Sequence, residues 1–110
     1  TVIGSKDGTV YLNAYTSSYL ATAGSGDVLA GLIASFLSQG LSALKAARLG
    51  CYIHSQCGLN LGFGLIASDL VEEIPNVIKK MHYETWSITD LKAILWALIN
   101  LFFYNYRFMY

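Results

Sequence analysis

A glycine-rich turn directly before an apolar run constrains this sequence more than any other feature. Gly24-Ser25-Gly26-Asp27 stands before residues 28–37, which are almost all apolar, and Asp27 is the only charged residue between Asp7 and Lys45. Backbone N–H groups at a helix N-terminus carry partial positive charge and bind anions. The pattern therefore predicts either a phosphate-binding helix start with Asp27 as general base, or an ordinary tight turn whose Asp caps a helix.

Composition excludes several classes of function. A chain of 110 residues forms one domain at most. Its net charge is zero and its only basic pair is Lys79-Lys80, so we expect no nucleic-acid binding. Cys51 and Cys57 lack the usual zinc-ligand spacing, and we interpret them as small apolar residues on one helix. The chain opens on Thr1 without a targeting signal, which predicts a fragment and a cytoplasmic location.

The first half of the chain predicts a hairpin and two helices. Two β-branched and aromatic runs flank Asp7-Gly8, which is a strong hairpin signal. Residues 28–37 predict a helix buried on all sides, and Gly40 is suited to end it. Ser42 is a plausible N-cap for a second helix that extends to about Gly58.

Further helices are predicted after a break at Gly62-Phe63-Gly64. Ser68 is expected to cap a helix whose acidic first turn, with Asp69, Glu72 and Glu73, suits the helix dipole. Pro75 is expected to start a new helical turn. In all, the sequence predicts a hairpin followed by four or five helices.

Composition changes after Met81. Nine of the 15 aromatic residues, including both tryptophans, follow it. Ser87-Ile88-Thr89-Asp90 has the form of a capping box that opens another helix. Residues 93–106 are uncharged, but the run is shorter than the ~20 apolar residues that a membrane helix needs. We interpret residues 82–110 as a hydrophobic, helical tail that packs against a partner surface rather than entering a membrane.

The segment Ala21–Ile33, with the sequence ATAGSGDVLAGLI, closely resembles the signature of the NAD(P)H-hydrate dehydratases, a ribokinase-like family. The resemblance runs from Thr1 to about Met81 and does not include residues 82–110. It implies that residues 1–81 are the C-terminal portion of a doubly wound α/β domain, contributing a β-hairpin and a mostly helical part. The flanking segments that support it are Lys6–Asn13, Gln39–Ser42, Ala46–Gly50, Tyr52–His54 and Gly64–Leu70.

The resemblance also implies a reaction and a site. Family members remove water from hydrated NADH or NADPH: ADP or ATP phosphorylates the ring hydroxyl, and phosphate then leaves. Gly24, Ser25 and Gly26 would form the anion hole, with Gly26 contacting the AMP part of the nucleotide. Asp27 would be the catalytic base and contact the hydrated nicotinamide. Mg²⁺ is expected with the nucleotide, and no cluster of carboxylates predicts a dedicated metal site.

Other polar and aromatic residues are given structural interpretations. His54 matches a histidine of the family pattern, and we interpret it as a hydrogen-bonded core or interface residue. Tyr15 and Tyr19 are expected to pack on their own domain. Where relatives have Gly-Asn in the loop before the signature, this chain has Thr16-Ser17, which would strain or displace a loop that needs glycine.

Two alternatives to the dehydratase stay open. One is a kinase of a small vitamin-precursor alcohol, since kinases of the same superfamily carry a looser form of the motif. The other is a non-catalytic remnant or interaction module, in which an exposed apolar surface leads to association with a partner or with a second copy.

Overall fold

The computed structural model describes the chain through residue 86, and its side chains through residue 81. The chain divides into two compact units, Thr1–Val77 and Ile78–Tyr110, and the second is described only through residue 86. The elements are β1 (Val2–Gly4), β2 (Val10–Leu12), a 3-10 turn (Ser18–Leu20), α1 (Ser25–Ser38), α2 (Ala43–Leu61) and α3 (Ala67–Trp86).

The hairpin forms where the sequence predicts it. Asp7 Oδ1 accepts a hydrogen bond from the Thr9 N–H at 2.9 Å, and Gly8 takes a positive φ of 88°. The strands pair antiparallel, with Ile3 opposite Tyr11. These two residues are half-buried, while their strand neighbours are exposed. The Asp-Gly signal was therefore sufficient to place the turn.

Three polar contacts attach the hairpin to α2. The Asn13 side-chain amide donates to the Cys51 carbonyl at 3.2 Å and to the Ser55 hydroxyl at 2.7 Å. The Arg48 guanidinium lies 4.2 Å from the centre of the Tyr11 ring, a cation–π contact. A two-stranded hairpin is only marginally stable by itself, so these contacts hold it in place.

Helix α1 differs from the prediction of burial on all sides. Its buried large residues are Leu32 and Phe36, whereas Ala30, Ala34 and Leu37 are exposed. The helix packs against α2 on one side, and residues 1–81 supply no second layer over the other. Its C-terminal end is as predicted, since the helix stops at Ser38 and Gly40 follows with a φ of 89°.

Helix α2 lies at the centre of the first unit. The Ser42 hydroxyl caps it, as predicted, by accepting from the Lys45 N–H at 3.3 Å. Two glycines let other elements approach closely. A Cβ at Gly50 would lie 2.7 Å from Ile33 of α1, and one at Gly58 would lie 2.6 Å from Leu20 of the 3-10 turn. The helix thus carries two sites of close packing on its buried surface.

Both cysteines are buried in α2 and are free thiols, as predicted. Burial raises the pKa of Cys51. Burial, with a smaller contribution from the charge of Glu73, raises the pKa of Cys57 to about 11. Because the thiolate is the nucleophile, neither cysteine is suited to nucleophilic chemistry near neutral pH.

Two predictions for α3 are wrong. Ser68 does not cap the helix, which already begins at Ala67; instead, Asp69 Oδ2 accepts from the Ile66 N–H at 3.0 Å, the reach-back half of a capping box. Pro75 lies inside a continuous helix rather than starting a new turn. Proline has no N–H to donate to the carbonyl of Val71, and Val71 is an exposed residue.

The described residues contain three α-helices and one 3-10 turn. The total of four or five helices was predicted for all 110 residues and stays a prediction. The helix predicted at Ser87-Ile88-Thr89-Asp90 and the rest of the aromatic tail lie outside the described residues. Within the described part, none of the helices combines the length and apolar character that crossing a membrane requires. A hairpin with packed helices is compatible with part of an α/β fold.

The two helix glycines Gly50 and Gly31 offer a matched test of this packing. Gly50→Ala should destabilise the chain, because overpacking costs about 1–3 kcal/mol against a helix-propensity gain of about 1 kcal/mol. Gly31→Ala meets no atom within 4 Å and should stabilise by about 0.5–1 kcal/mol. Urea unfolding followed by circular dichroism measures both, and equal shifts of the same sign would contradict the packing described.

Candidate functional site

A tight turn leads into α1 and needs glycine at one position. The Ser25 N–H donates to the Thr22 carbonyl at 3.2 Å. Gly24 lies inside this turn with φ 84° and ψ −7°, the values of the third residue of a type II turn. A Cβ on Gly24 would also lie 3.0 Å from the Cβ of Ala67, the first residue of α3. Both the dihedral angles and the space therefore exclude a larger residue.

Ser25, the first residue of α1, has its polar groups engaged inside the protein. It is 3% exposed, and its hydroxyl oxygen lies 3.0 Å from Nε2 of His54 on α2. Its N–H is used by the Thr22 carbonyl. The role predicted for Ser25 in phosphate binding stays a prediction, and the observed contacts of this residue face the interior.

His54 confirms its interpretation as a hydrogen-bonded core residue. It is 8% exposed, and its Nε2 lies 2.9 Å from the Ser25 carbonyl oxygen. A carbonyl only accepts hydrogen bonds, so Nε2 carries the proton and donates. Burial lowers the pKa of His54 below its ordinary 6.5, and the hydrogen bond to the Ser25 backbone partly opposes that shift.

Gly26 and Asp27 lie on the exposed side of the same helical turn. Within residues 1–86, their backbone N–H groups have no hydrogen-bond acceptor, because the first intrahelical bond runs from Val28 to Gly24 at 3.2 Å. The Asp27 carboxylate likewise makes no hydrogen bond in that part of the chain. No atom lies within 4 Å of the position that a Cβ on Gly26 would occupy.

This arrangement favours the binding of an anion next to a carboxylate. N–H groups in the first turn of a helix point outward along its axis, toward the end that carries partial positive charge. Two such groups are free, and the absence of a side chain at Gly26 permits close approach of an anion. A proton acceptor, Asp27, stands beside them. The geometry thus suits a phosphate with a hydroxyl group nearby.

Other sequence candidates have structural roles. The rings of Tyr15 and Tyr52 meet edge to face at 6.2 Å, and those of Tyr19 and Phe63 at 5.9 Å, so both loop tyrosines pack on their own domain as expected. Glu73 accepts hydrogen bonds from Asn60 and Asn76, both at 3.2 Å. Within the residues described, no three His, Cys, Asp or Glu side chains group to hold a metal ion.

Sequence reasoning did not find three contacts of the turn. Thr22, Ala67 and the joint contact of His54 with Ser25 all shape the start of α1. His54 lies 29 positions from Ser25 in the chain. Only the family pattern, in which His54 has a match, gave any signal that this residue had a role.

Titration of His54 should make stability depend on pH. Because burial lowers its pKa in the folded state, the unfolded chain binds the proton more readily below pH 6.5, and folding loses stability as pH falls into that range. Urea unfolding between pH 8 and about 5.5 should show this loss. His54→Gln should lack that part of the dependence, and identical slopes in both proteins would contradict the assignment.

Comparison with known proteins places the sequence among dehydratases. The profile of the family described as NAD(P)H-hydrate dehydratase matches residues 1–79. A bifunctional NAD(P)H-hydrate repair enzyme of Moorella thermoacetica is 40% identical over 93 residues, which cover 80% of this chain and 18% of that protein. An ADP-dependent (S)-NAD(P)H-hydrate dehydratase of Haloterrigena turkmenica is 38% identical over 77 residues, covering 66% and 30%.

A further repair enzyme, from Thermofilum pendens, is 45% identical over 99 residues, covering 86% of this chain and 19% of that protein. The chain spans less than a third of the length of each of these three relatives. The resemblance inferred from ATAGSGDVLAGLI and its flanks is confirmed, because the profile covers well over half of the chain. The chain therefore belongs to the NAD(P)H-hydrate dehydratase family.

Proposed function

We propose that this chain provides the phosphate-binding turn and the catalytic base for nucleotide-dependent dehydration of hydrated NADH or NADPH, a lyase reaction. The observation that carries the proposal is the pair of acceptor-free N–H groups of Gly26 and Asp27, beside an exposed carboxylate, at the start of α1. The names of relatives, NAD(P)H-hydrate repair enzyme and ADP-dependent dehydratase, support the choice of substrate and nucleotide.

The proposed reaction solves a leaving-group problem. Hydroxide leaves poorly from the hydrated ring, so the ring hydroxyl attacks the terminal phosphorus of ADP or ATP and gives its proton to Asp27. The phosphate ester then breaks at its carbon–oxygen bond as the ring nitrogen donates its electron pair. Loss of a ring proton restores the double bond of NADH or NADPH. The products are the repaired dinucleotide, inorganic phosphate and the shortened nucleotide.

In this proposal Gly24, Ser25 and Gly26 form the anion hole. The N–H groups of Gly26 and Asp27 donate to phosphate oxygens, and Gly26 also approaches the AMP part of the nucleotide. Ser25 supports the turn from inside. The partial positive charge at the start of α1 offsets the repulsion between the phosphate and the Asp27 carboxylate.

Mg²⁺ enters the proposal only with the nucleotide. Mg²⁺ is commonly held in part by substrate phosphates. In this proposal the phosphates of the nucleotide would hold the ion, and Asp27 stays the base. The ion would neutralise phosphate charge during transfer. The steps assigned to this chain's own residues do not require a separate metal-binding cluster.

The proposal includes a fold and an organisation. Residues 1–81 would belong to a ribokinase-like, doubly wound α/β domain, to which the hairpin and helices described above contribute. Residues 82–110 would be a separate hydrophobic tail, and the cytoplasm would be the site of action. A kinase of a vitamin-precursor alcohol would use the same turn and base, so only the substrate accepted distinguishes it from the dehydratase.

A second candidate function, an interaction module, is favoured by the outer face of the hairpin. Val2, Val10 and Leu12 are 65%, 64% and 74% exposed. Apolar side chains grouped on an exposed face mark interaction surfaces. Under this alternative the chain associates through the hairpin and needs no chemistry at Asp27.

Removing the base tests the proposed reaction. The full chain, supplied with NADHX, Mg²⁺ and either ADP or ATP, should restore the absorbance of NADH. Asp27→Asn should lower the rate about 100- to 10,000-fold, the usual contribution of a general base. Glu72→Gln changes another exposed carboxylate that has no hydrogen bond within residues 1–86, and should leave the rate unchanged.

Three results would contradict the reaction. They are turnover that does not need a nucleotide, equal rates for Asp27→Asn and wild type, and phosphorylation of a vitamin-precursor alcohol without NADHX dehydration. The last of these would favour the superfamily kinase. A folded chain without turnover would favour the interaction module.

The interaction module makes a separate prediction. Light scattering should show a mass that rises between about 1 and 100 μM, the range of weak association. Leu12→Thr removes apolar surface and places a β-branched residue, which strands favour, at this position. It should shift the rise in mass to higher concentration. A constant monomer mass throughout would exclude self-association through this face.

A further inference from the structure

His54 contacts the start of α1 at a single residue, Ser25. Nε2 of His54 donates to the Ser25 carbonyl at 2.9 Å and lies 3.0 Å from the hydroxyl oxygen of the same residue. All of these groups are buried or nearly so, with His54 8% and Ser25 3% exposed. A side chain from α2 therefore contacts both the carbonyl oxygen and the hydroxyl oxygen of the first residue of α1.

The carbonyl of Ser25 and the N–H of Gly26 belong to the same planar peptide. In a trans peptide the two bonds point in opposite directions, and neither turns without the other. Holding the carbonyl inward therefore holds the Gly26 N–H outward, toward the exposed end of the helix. Gly26 benefits from this restraint because glycine has the widest range of allowed backbone dihedral angles.

Neighbouring contacts fix the residues on either side of this peptide. On one side, Gly24 is fixed by its positive φ and its fit against Ala67. On the other side, the hydrogen bond from Val28 to Gly24 begins the regular helix. Between them, His54 supplies the only side-chain hydrogen bond to the backbone of residues 24–27 within the described part of the chain.

We propose that His54 is a positioning residue of the candidate phosphate site, acting through the Ser25 carbonyl to aim the Gly26 N–H at the ligand. The inference rests on the proposed function of the turn. It differs from a purely structural role, in which His54 would stabilise the contact between α1 and α2 without affecting what α1 binds.

Two substitutions separate these roles. His54→Gln retains an N–H donor at nearly the distance of Nε2, whereas His54→Met has a similar length and no donor. Amide hydrogen exchange of the ligand-free chain reports the turn directly, since the Leu29 N–H bonds to the Ser25 carbonyl in a regular helix. Calorimetric titration with ADP measures ligand binding. Urea unfolding measures the global stability of each variant, so that its effect on exchange and on binding can be subtracted.

If His54 is a positioning residue, His54→Met should speed amide exchange at Val28 and Leu29 relative to the middle of α1. It should also weaken ADP binding about two- to tenfold, the effect of one hydrogen bond. His54→Gln should stay close to wild type in both amide exchange and ADP affinity. Equal effects of the two variants, or a loss of global stability without a local change in exchange, would overturn the inference. Wild-type chain that fails to bind ADP would refute the proposed function, while the exchange data would still decide whether His54 holds the turn.

Discussion

The structure depends on close packing against α2, which the hairpin, the 3-10 turn and α1 all contact. Gly50 and Gly58 let Ile33 and Leu20 approach to distances that a methyl group would block. Because dense packing does not tolerate even small volume changes, these two glycines set where α1 and the 3-10 turn can lie. The same approach brings His54 of α2 beneath the first residue of α1.

The candidate site follows from that placement and from the geometry of a helix. Successive residues of a helix point about 100° apart, so adjacent residues in the first turn can serve opposite purposes. Ser25 faces inward and bonds to His54, while Gly26 and Asp27 face outward with free N–H groups. The buried contact between His54 and Ser25 therefore supports the exposed helix end without using the N–H groups of Gly26 and Asp27. The separation keeps the outward groups available for an anion.

Local signals in the sequence predicted what local interactions determine. The Asp7-Gly8 turn, the Ser42 cap and the glycine after α1 are as expected, since each acts within a few residues. Non-local contacts were beyond such signals. Burial of α1 depends on what covers it, and the bonds from His54 to Ser25 join distant positions. At α3, the local signal failed because the helix begins one residue before Ser68, and Asp69 accepts from the Ile66 N–H at its start.

The central claim is that the first turn of α1 binds the phosphates of a nucleotide. A ¹H–¹⁵N NMR titration of the folded chain with ADP tests it most directly, because it reports each backbone N–H separately. The account predicts saturable shifts that are largest at Gly26 and Asp27, with Gly24 and Ser25 next. Shifts that do not saturate, or that are largest on the hairpin or α3 while the first turn of α1 is unchanged, would contradict it.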